Sequence, residues 1–219
     1  MRICVTICTR ERPAMLRRCL ESVSAQDVPE GVAVTVAVVE NHDRPASKPV
    51  VEAVAAETGW TIVHVLEPEM GIPFARTRCG RYAAETGHDW ALYIDDDEEA
   101  RPGWLAAFVE ATRRYAADVY YGRVIPRLPA NTPAWMVKPD VNKRATGTRL
   151  GKAEGHNTLV ATRIFADPAD GGMGLAFDGT MRFSGGSDTE FFARVHDRGG
   201  RIVWIAEAEV DEIVPESRM

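Results

Sequence analysis

Trp90-Ala91-Leu92-Tyr93-Ile94-Asp95-Asp96-Asp97-Glu98-Glu99 joins an apolar run directly to five consecutive acids. A short continuous apolar run is what a strand buried on both faces of a sheet requires. Carboxylates gathered at its end raise one another's proton affinity unless a positive charge sits among them. Side chains alternate along extended backbone, so Asp95 and Asp97 are expected on one face and Asp96 on the other. An all-oxygen set of this kind suits Mg2+ or Mn2+ rather than zinc. Ligands of open α/β sheets collect beyond the carboxyl ends of strands, which is where these acids fall. The competing reading is a solvated acidic loop, the ordinary fate of a charge run.

The flanking sequence repeats the alternation of strand and helix. Ile3, Val5 and Ile7 begin a first strand, and Pro13 opens a helix whose Leu16, Cys19, Leu20 and Val23 recur at helical spacing. Strands are expected at 32–39, 61–66, 90–94 and 119–125, and helices at 47–58, 71–86 and 102–116. Gly59 and Gly87 close two of the helices. This order predicts a doubly wound, parallel α/β sheet. From 126 to 158 the texture changes to scattered glycines with Pro126, Pro129, Pro133 and Pro139, which predicts a long irregular excursion over the carboxyl edge. Strands at 159–164 and 201–210 then flank a helix at 189–198.

With 219 residues, 45% of them hydrophobic and 26% charged, the chain has the composition of one globular domain. A net charge of −6 excludes a general nucleic-acid binder, which needs a basic face. Cys4, Cys8, Cys19 and Cys79 form no C-x-x-C pair and fall on apolar faces, so they are expected to be reduced core thiols. No apolar stretch approaches the roughly 20 residues of a membrane-spanning helix. A cytoplasmic protein is expected.

Familiar chemistry is missing at several points. There is no G-x-x-x-x-G-K-[ST], no G-x-G-x-x-G after a strand and no H-E-x-x-H, and the five histidines are scattered. Within Ser184-Gly185-Gly186-Ser187-Asp188-Thr189-Glu190-Phe191-Phe192, Ser187 and Glu190 match a capping box, which gives Glu190 a structural role. Two readings are open for Asp188: a further acid in the first helical turn, or a general base placed after two glycines that let a ligand approach closely. A cation at Asp97 with a separate carboxylate at Asp188 would supply a Lewis acid and a base for group transfer.

Taken in order, Val5-Thr6-Ile7-Cys8-Thr9-Arg10-Glu11-Arg12-Pro13, Val38-Val39-Glu40-Asn41, Gly71-Ile72-Pro73-Phe74-Ala75-Arg76, Asp95 to Asp97 and Gly186-Ser187-Asp188 resemble family 2 glycosyltransferases of the GT-A fold. Glu209 to Arg218 looks like the end of the bacterial exopolysaccharide members of succinoglycan type. Each stretch alone is weak, and the ordered set is specific. The resemblance implies one GT-A domain over residues 1–219, with a mostly parallel, Rossmann-like central sheet and helices on both faces. Residues 1–125 would bind the nucleotide sugar, and 126–219 would bind the acceptor and carry catalysis.

Carried over by position, the resemblance assigns Thr9 and Arg12 to the loop that holds the nucleotide, Asn41 to the uracil edge and Arg76 to the neighbourhood of the diphosphate. It makes Asp95, Asp96 and Asp97 the Asp-x-Asp element, with Asp95 toward the ribose and Asp97 on Mn2+ or Mg2+, and Asp188 the base. The chain departs from the pattern at Asn41, where an aspartate is usual, at Thr77, where asparagine is common, and at Ser187, where a glutamate is frequent. Asp211 and Glu212 stand where many relatives carry a metal-ligating histidine, so Asp95 and Glu212 join Asp97 as candidate ligands. Trp135 either offers a ring face to an acceptor sugar or pins its loop to the core.

The expected activity is inverting transfer from a UDP-hexose to a saccharide or lipid-linked acceptor in bacterial polysaccharide synthesis. The alternative is a non-catalytic domain that binds a nucleotide sugar and regulates or scaffolds an assembly. A nucleotidyltransferase would show a glycine-rich, lysine-containing first loop, and Thr9-Arg10-Glu11-Arg12-Pro13 is not one. Any contact with the inner face of the cell membrane is expected through a partner or a segment beyond Met219.

Overall fold

The computed structural model describes residues 1–133, 135 and 144–214. Pro139 and the end of the 209–218 stretch lie outside the described residues. The sheet is nine-stranded, in the order β3-β2-β1-β4-β8-β6-β9-β5, with β7 also paired to β9. Its strands are β1 (Arg2–Thr9), β2 (Ala33–Glu40), β3 (Ile62–Leu66), β4 (Trp90–Asp95), β5 (Glu98–Ala100), β6 (Val119–Arg127), β7 (Arg149–Leu150), β8 (Thr158–Ala161) and β9 (Ile202–Ile213). The helices are α1 (Pro13–Ser24), α2 (Lys48–Thr58), α3 (Ile72–Glu85), α4 (Trp104–Arg114) and α5 (Ser187–Asp197).

β1 is buried on both faces because helices cover both sides. Ile3, Val5 and Ile7 pack with Leu16 and Leu20 of α1, Val51 and Val54 of α2, and Trp104 and Phe108 of α4. Cys4, Ala37 and Val39 face the other way, into the layer of Ala75, Cys79 and Ala83 of α3 and Phe191, Phe192 and Val195 of α5. Phe177 stacks on Phe191 at 3.9 Å between ring centres, anchoring the loop that leads into α5.

The sheet is mixed and mostly parallel, as the family resemblance implied, and the antiparallel strands are what the alternation of strand and helix alone did not indicate. The long pairings β1–β2, β1–β4, β2–β3 and β6–β9 are parallel. β8 runs antiparallel to both β4 and β6, and the short β5 and β7 run antiparallel to β9. Among the described residues between β6 and β8 there is no crossover α-helix, and β8 enters reversed. β8 also ends at Ala161, short of the expected Ile164. There Thr162 donates to the His88 carbonyl at 2.7 Å and begins a single 3-10 turn.

Asn157 organises the junction near the site. Fully buried and at φ 43°, it receives Trp104 Nε1–H at 2.7 Å and donates to the carbonyls of Arg123 and Ala208, both at 2.9 Å. Beside it the β6–β9 register jumps, Gly122 pairing with Ile205 and Arg123 with Glu209. A Cβ on Gly122 would lie 2.5 Å from the Ala208 carbonyl, so only glycine admits this bulge. The bulge sets how the end of β9 meets β5. No helix among the described residues is long and apolar enough to cross a membrane.

Candidate active site

The carboxyl ends of β1 and β4 lie side by side, with Cys8 opposite Asp95. A cleft of about 420 Å³ opens over them. It is lined by the first loop (Thr9, Arg10, Arg12), Asn41, the start of α3, the acids Asp95 to Asp97, the pair Arg182 and Phe183, and Glu212.

The expected alternation of the acids fails because extended backbone stops at Asp95 and a turn follows. Asp96 and Asp97 consequently share one cation: Arg12 Nη1 lies 3.2 Å from Asp96 and 3.4 Å from Asp97. Thr9 adds a hydrogen bond to Asp96 at 2.7 Å. Burial pushes the Asp96 carboxyl above the usual range, against the pull of Thr9 and Arg12. Thr9 and Arg12 thus tie the first loop to the acids.

Arg76 joins the two halves of the site. Its Nη2 is 3.4 Å from Asp95, and its Nη1 pairs with Asp188 at the start of α5. Burial would lower its pKa, yet the charges of Asp95 and Asp188 outweigh that and hold the guanidinium firmly ionised. Gly155 makes the room, since a Cβ there would meet the guanidinium carbon at 2.6 Å. Tyr93 anchors the backbone behind it through a 2.9 Å bond to the Arg76 carbonyl. Asp188 therefore belongs to the acidic strand end through a shared arginine.

The remaining expectations divide. Asn41 lines the cleft, but its amide donates to the carbonyls of Glu67 at 3.1 Å and Glu69 at 2.6 Å and accepts Gly71 N–H at 2.8 Å. In this conformation it holds the loop before α3, with both amide hydrogens spent. Thr77 accepts Phe177 N–H at 3.0 Å, a structural use that explains a hydroxyl at that position. Glu212 faces the cleft, whereas Asp211 pairs with Arg101 and Arg127, each at 2.9 Å. Trp135 is 83% exposed, which excludes its pinning the loop to the core. The capping box is corrected: Gly186, at φ 82°, is the N-cap, Ser187 is already helical, and Glu190 pairs with Arg194. The pair of glycines takes up the left-handed backbone that a serine cap would otherwise bypass. The thiols are unbridged as expected, although half-buried Cys8 also lines the cleft.

Glu98, one of the five consecutive acids, is the anchor beneath the others. Only 1% exposed, it accepts Asp95 N–H at 2.9 Å and pairs with His156 Nδ1 at 2.7 Å. His156 Nε2 reaches Glu154 at 2.8 Å. Burial opposes the charge on His156, but Glu154 and Glu98 raise its pKa well above the ordinary value, giving an imidazolium between two carboxylates. Burial raises the Glu98 carboxyl in turn, with His156 pulling against it.

Among the described residues no three His, Cys, Asp or Glu side chains close on a common point. Asp95, Asp97 and Glu212 form an open, all-oxygen wall on the cleft. The donor set fits a hard cation such as Mn2+ or Mg2+, which commonly takes one or two carboxylates and completes its shell with phosphate oxygens.

This sheet, with its acidic turn and cleft at the strand ends, has the architecture of a GT-A glycosyltransferase. The crystal structure of S. aureus TarS 1-349 matches with a TM-score of 0.74 at 14% identity, over 97% of this chain and 60% of that one. That of GalNAc-T7 with UDP, GalNAc and Mn2+ matches with a TM-score of 0.74 at 17% identity, over 98% of this chain and 44% of that one. At these identities the likeness shows the fold alone. The chain belongs to glycosyl transferase family 2, whose model matches residues 4–166. The succinoglycan biosynthesis protein ExoM of Rhizobium meliloti (strain 1021) is 32% identical over 218 residues, covering 100% of this chain and 69% of that protein.

Proposed function

We propose that the chain transfers a hexose from a UDP-sugar to a saccharide hydroxyl in exopolysaccharide synthesis, with inversion at the anomeric carbon and Asp188 as the base. The observation that carries this is the Asp95–Arg76–Asp188 constellation, which places a second carboxylate beside the acidic strand end on a separate helix. Asp188 accepts the proton of the acceptor hydroxyl as that oxygen attacks the anomeric carbon and the diphosphate departs from the opposite side. Arg76 orients Asp188 and Asp95 together. Thr9 and Arg12 hold the acidic turn against the first loop. Asp97, with Asp95 and Glu212 lining the same cleft, would hold Mn2+ or Mg2+, which when bound neutralises charge on the leaving diphosphate.

Two features of relatives support the donor and setting. A TarS structure in complex with UDP-GlcNAc matches the fold with a TM-score of 0.71, and ExoM is named for succinoglycan biosynthesis. The division of labour over 1–219, with a donor-binding half at 1–125 and an acceptor-binding half at 126–219, is supported by a cleft lined mostly from the first half and by Asp188, which the second half sets against Arg76. A lipid-linked saccharide is an equally suitable acceptor in this reading.

The experiment is a turnover assay with UDP-, GDP- and dTDP-hexoses in the presence of Mn2+, measuring nucleotide release. UDP-hexose should be consumed and the others spared. UDP binding should be strengthened by Mn2+, and Asp97→Ala should remove that strengthening, because cation and diphosphate share the site. Metal-independent affinity that survives Asp97→Ala would remove Asp97 from the account.

A further inference from the structure

We propose that Arg182, on the loop preceding α5, is the arginine that binds the donor diphosphate, in place of Arg76. The inference rests on the UDP-sugar reading above and refines it. Four arginines line the cleft: Arg10, Arg12, Arg76 and Arg182. Two are committed to carboxylates. Arg12 bridges Asp96 and Asp97, and Arg76, its side chain only 8% exposed, sits between Asp95 and Asp188 with Gly155 against its guanidinium. Both terminal nitrogens of Arg76 are already paired and its unpartnered Nε is buried against Gly155, so a phosphate there competes with Asp95 and Asp188 for the same guanidinium.

Arg182 has no carboxylate partner among the described residues. Its guanidinium carbon lies 5.1 Å over the ring of Phe183, which is 80% exposed and lines the same cleft. The ring braces the cation at the cleft without neutralising it. The loop is held there by two close approaches that only glycine permits. A Cβ on Gly71 would lie 2.7 Å from Arg182 Cβ, and one on Gly179 would lie 2.8 Å from the ring of Phe74. These contacts seat Arg182 beside the first turn of α3, whose N-cap Gly71 has no side-chain cap. The partial positive charge of that helix end adds to the arginine's own. A diphosphate bound to a cation on the acidic turn would then meet a planar, bidentate donor that costs no existing ion pair. Of the four cleft arginines, Arg10 is the other without a carboxylate partner among the described residues, but no comparable contact holds its side chain there, so it serves as the control.

The test is calorimetric titration of the full chain and of Arg182→Gln, Arg182→Lys and Arg10→Gln with UDP and with uridine, each in Mn2+. Arg182→Gln should weaken UDP about tenfold or more and leave uridine unchanged, as expected for loss of a charge-assisted hydrogen bond to phosphate. Arg182→Lys should recover part of the loss, keeping the charge without the fork. Unchanged UDP affinity in Arg182→Gln, equal losses for UDP and uridine, or a loss that falls on Arg10→Gln instead would each overturn the proposal. Failure of the unsubstituted chain to bind UDP would overturn the donor reading itself, and this inference with it.

Discussion

Arg76 is the residue on which the site turns, and its surroundings explain why a glycine stands at 155. Gly155→Ala puts a methyl carbon within 2.6 Å of the guanidinium carbon and 2.7 Å of Nε. Buried groups so tightly packed respond by shifting, at a cost of typically 1–3 kcal/mol. The expected outcome is a protein that folds and binds UDP but turns over slowly, because Asp188 loses its fixed partner while the acidic turn keeps Arg12. Kinetics set beside UDP titration check this, and a variant with unchanged turnover would show that Arg76 does not position the base. The meeting of Thr9, Arg12 and the acids at one cleft could be read from their order along the chain. That of Arg76 could not, since its partner Asp188 lies 112 positions away in the sequence and only the folded sheet brings them together. Asn41 shows the opposite case. Its position suggested base recognition, but three backbone groups from the loop before α3 claim its amide.

At the scale of elements, the strands β1 to β4 follow from apolar runs and the helices from their spacing and their prolines and glycines. β5 and the direction of β8 do not, because both depend on pairings with distant segments. The same limit hid Glu98, which sits in a row of acids yet leaves them by entering β5 and pairing with His156, 58 positions on. This trio makes a pH prediction. His156 has its folded-state pKa raised, so its contribution to stability is full below its unfolded value near 6.5 and is lost as pH rises through the folded value. Glu154 is lowered, first through its hydrogen bond with His156, so its contribution is present above its unfolded value and is lost as pH falls through the folded one. Thermal unfolding across pH should therefore show stability falling at both the alkaline and the acid end. His156→Asn should remove the alkaline loss and lower stability at neutral pH by about 3 kcal/mol, the lower end for breaking a buried ion pair, since His156 is partly exposed. For a chain of this size that corresponds to roughly 6–12 °C. An unchanged melting temperature would show that Glu98 needs no counter-charge.

For the whole molecule, the sheet gathers the cleft from distant parts of the chain. β1, β2 and β4 bring Thr9, Asn41 and Asp95 to the cleft at their carboxyl ends, the bulged β9 brings Glu212 to it, and the segment before β8 sets Gly155 against Arg76. α5 contributes Asp188 from the helical layer it shares with α3. If this assembly performs the proposed sugar transfer with Asp188 as the base, Asp188→Asn must disable it, because the amide keeps the shape and loses the basicity. Measured with UDP-hexose, Mn2+ and a hydroxyl acceptor, turnover should fall by about 100- to 10,000-fold, while UDP affinity stays within error of the unsubstituted chain. Turnover that survives the substitution unchanged would contradict the account and leave Asp188 as no more than an acid at the start of a helix.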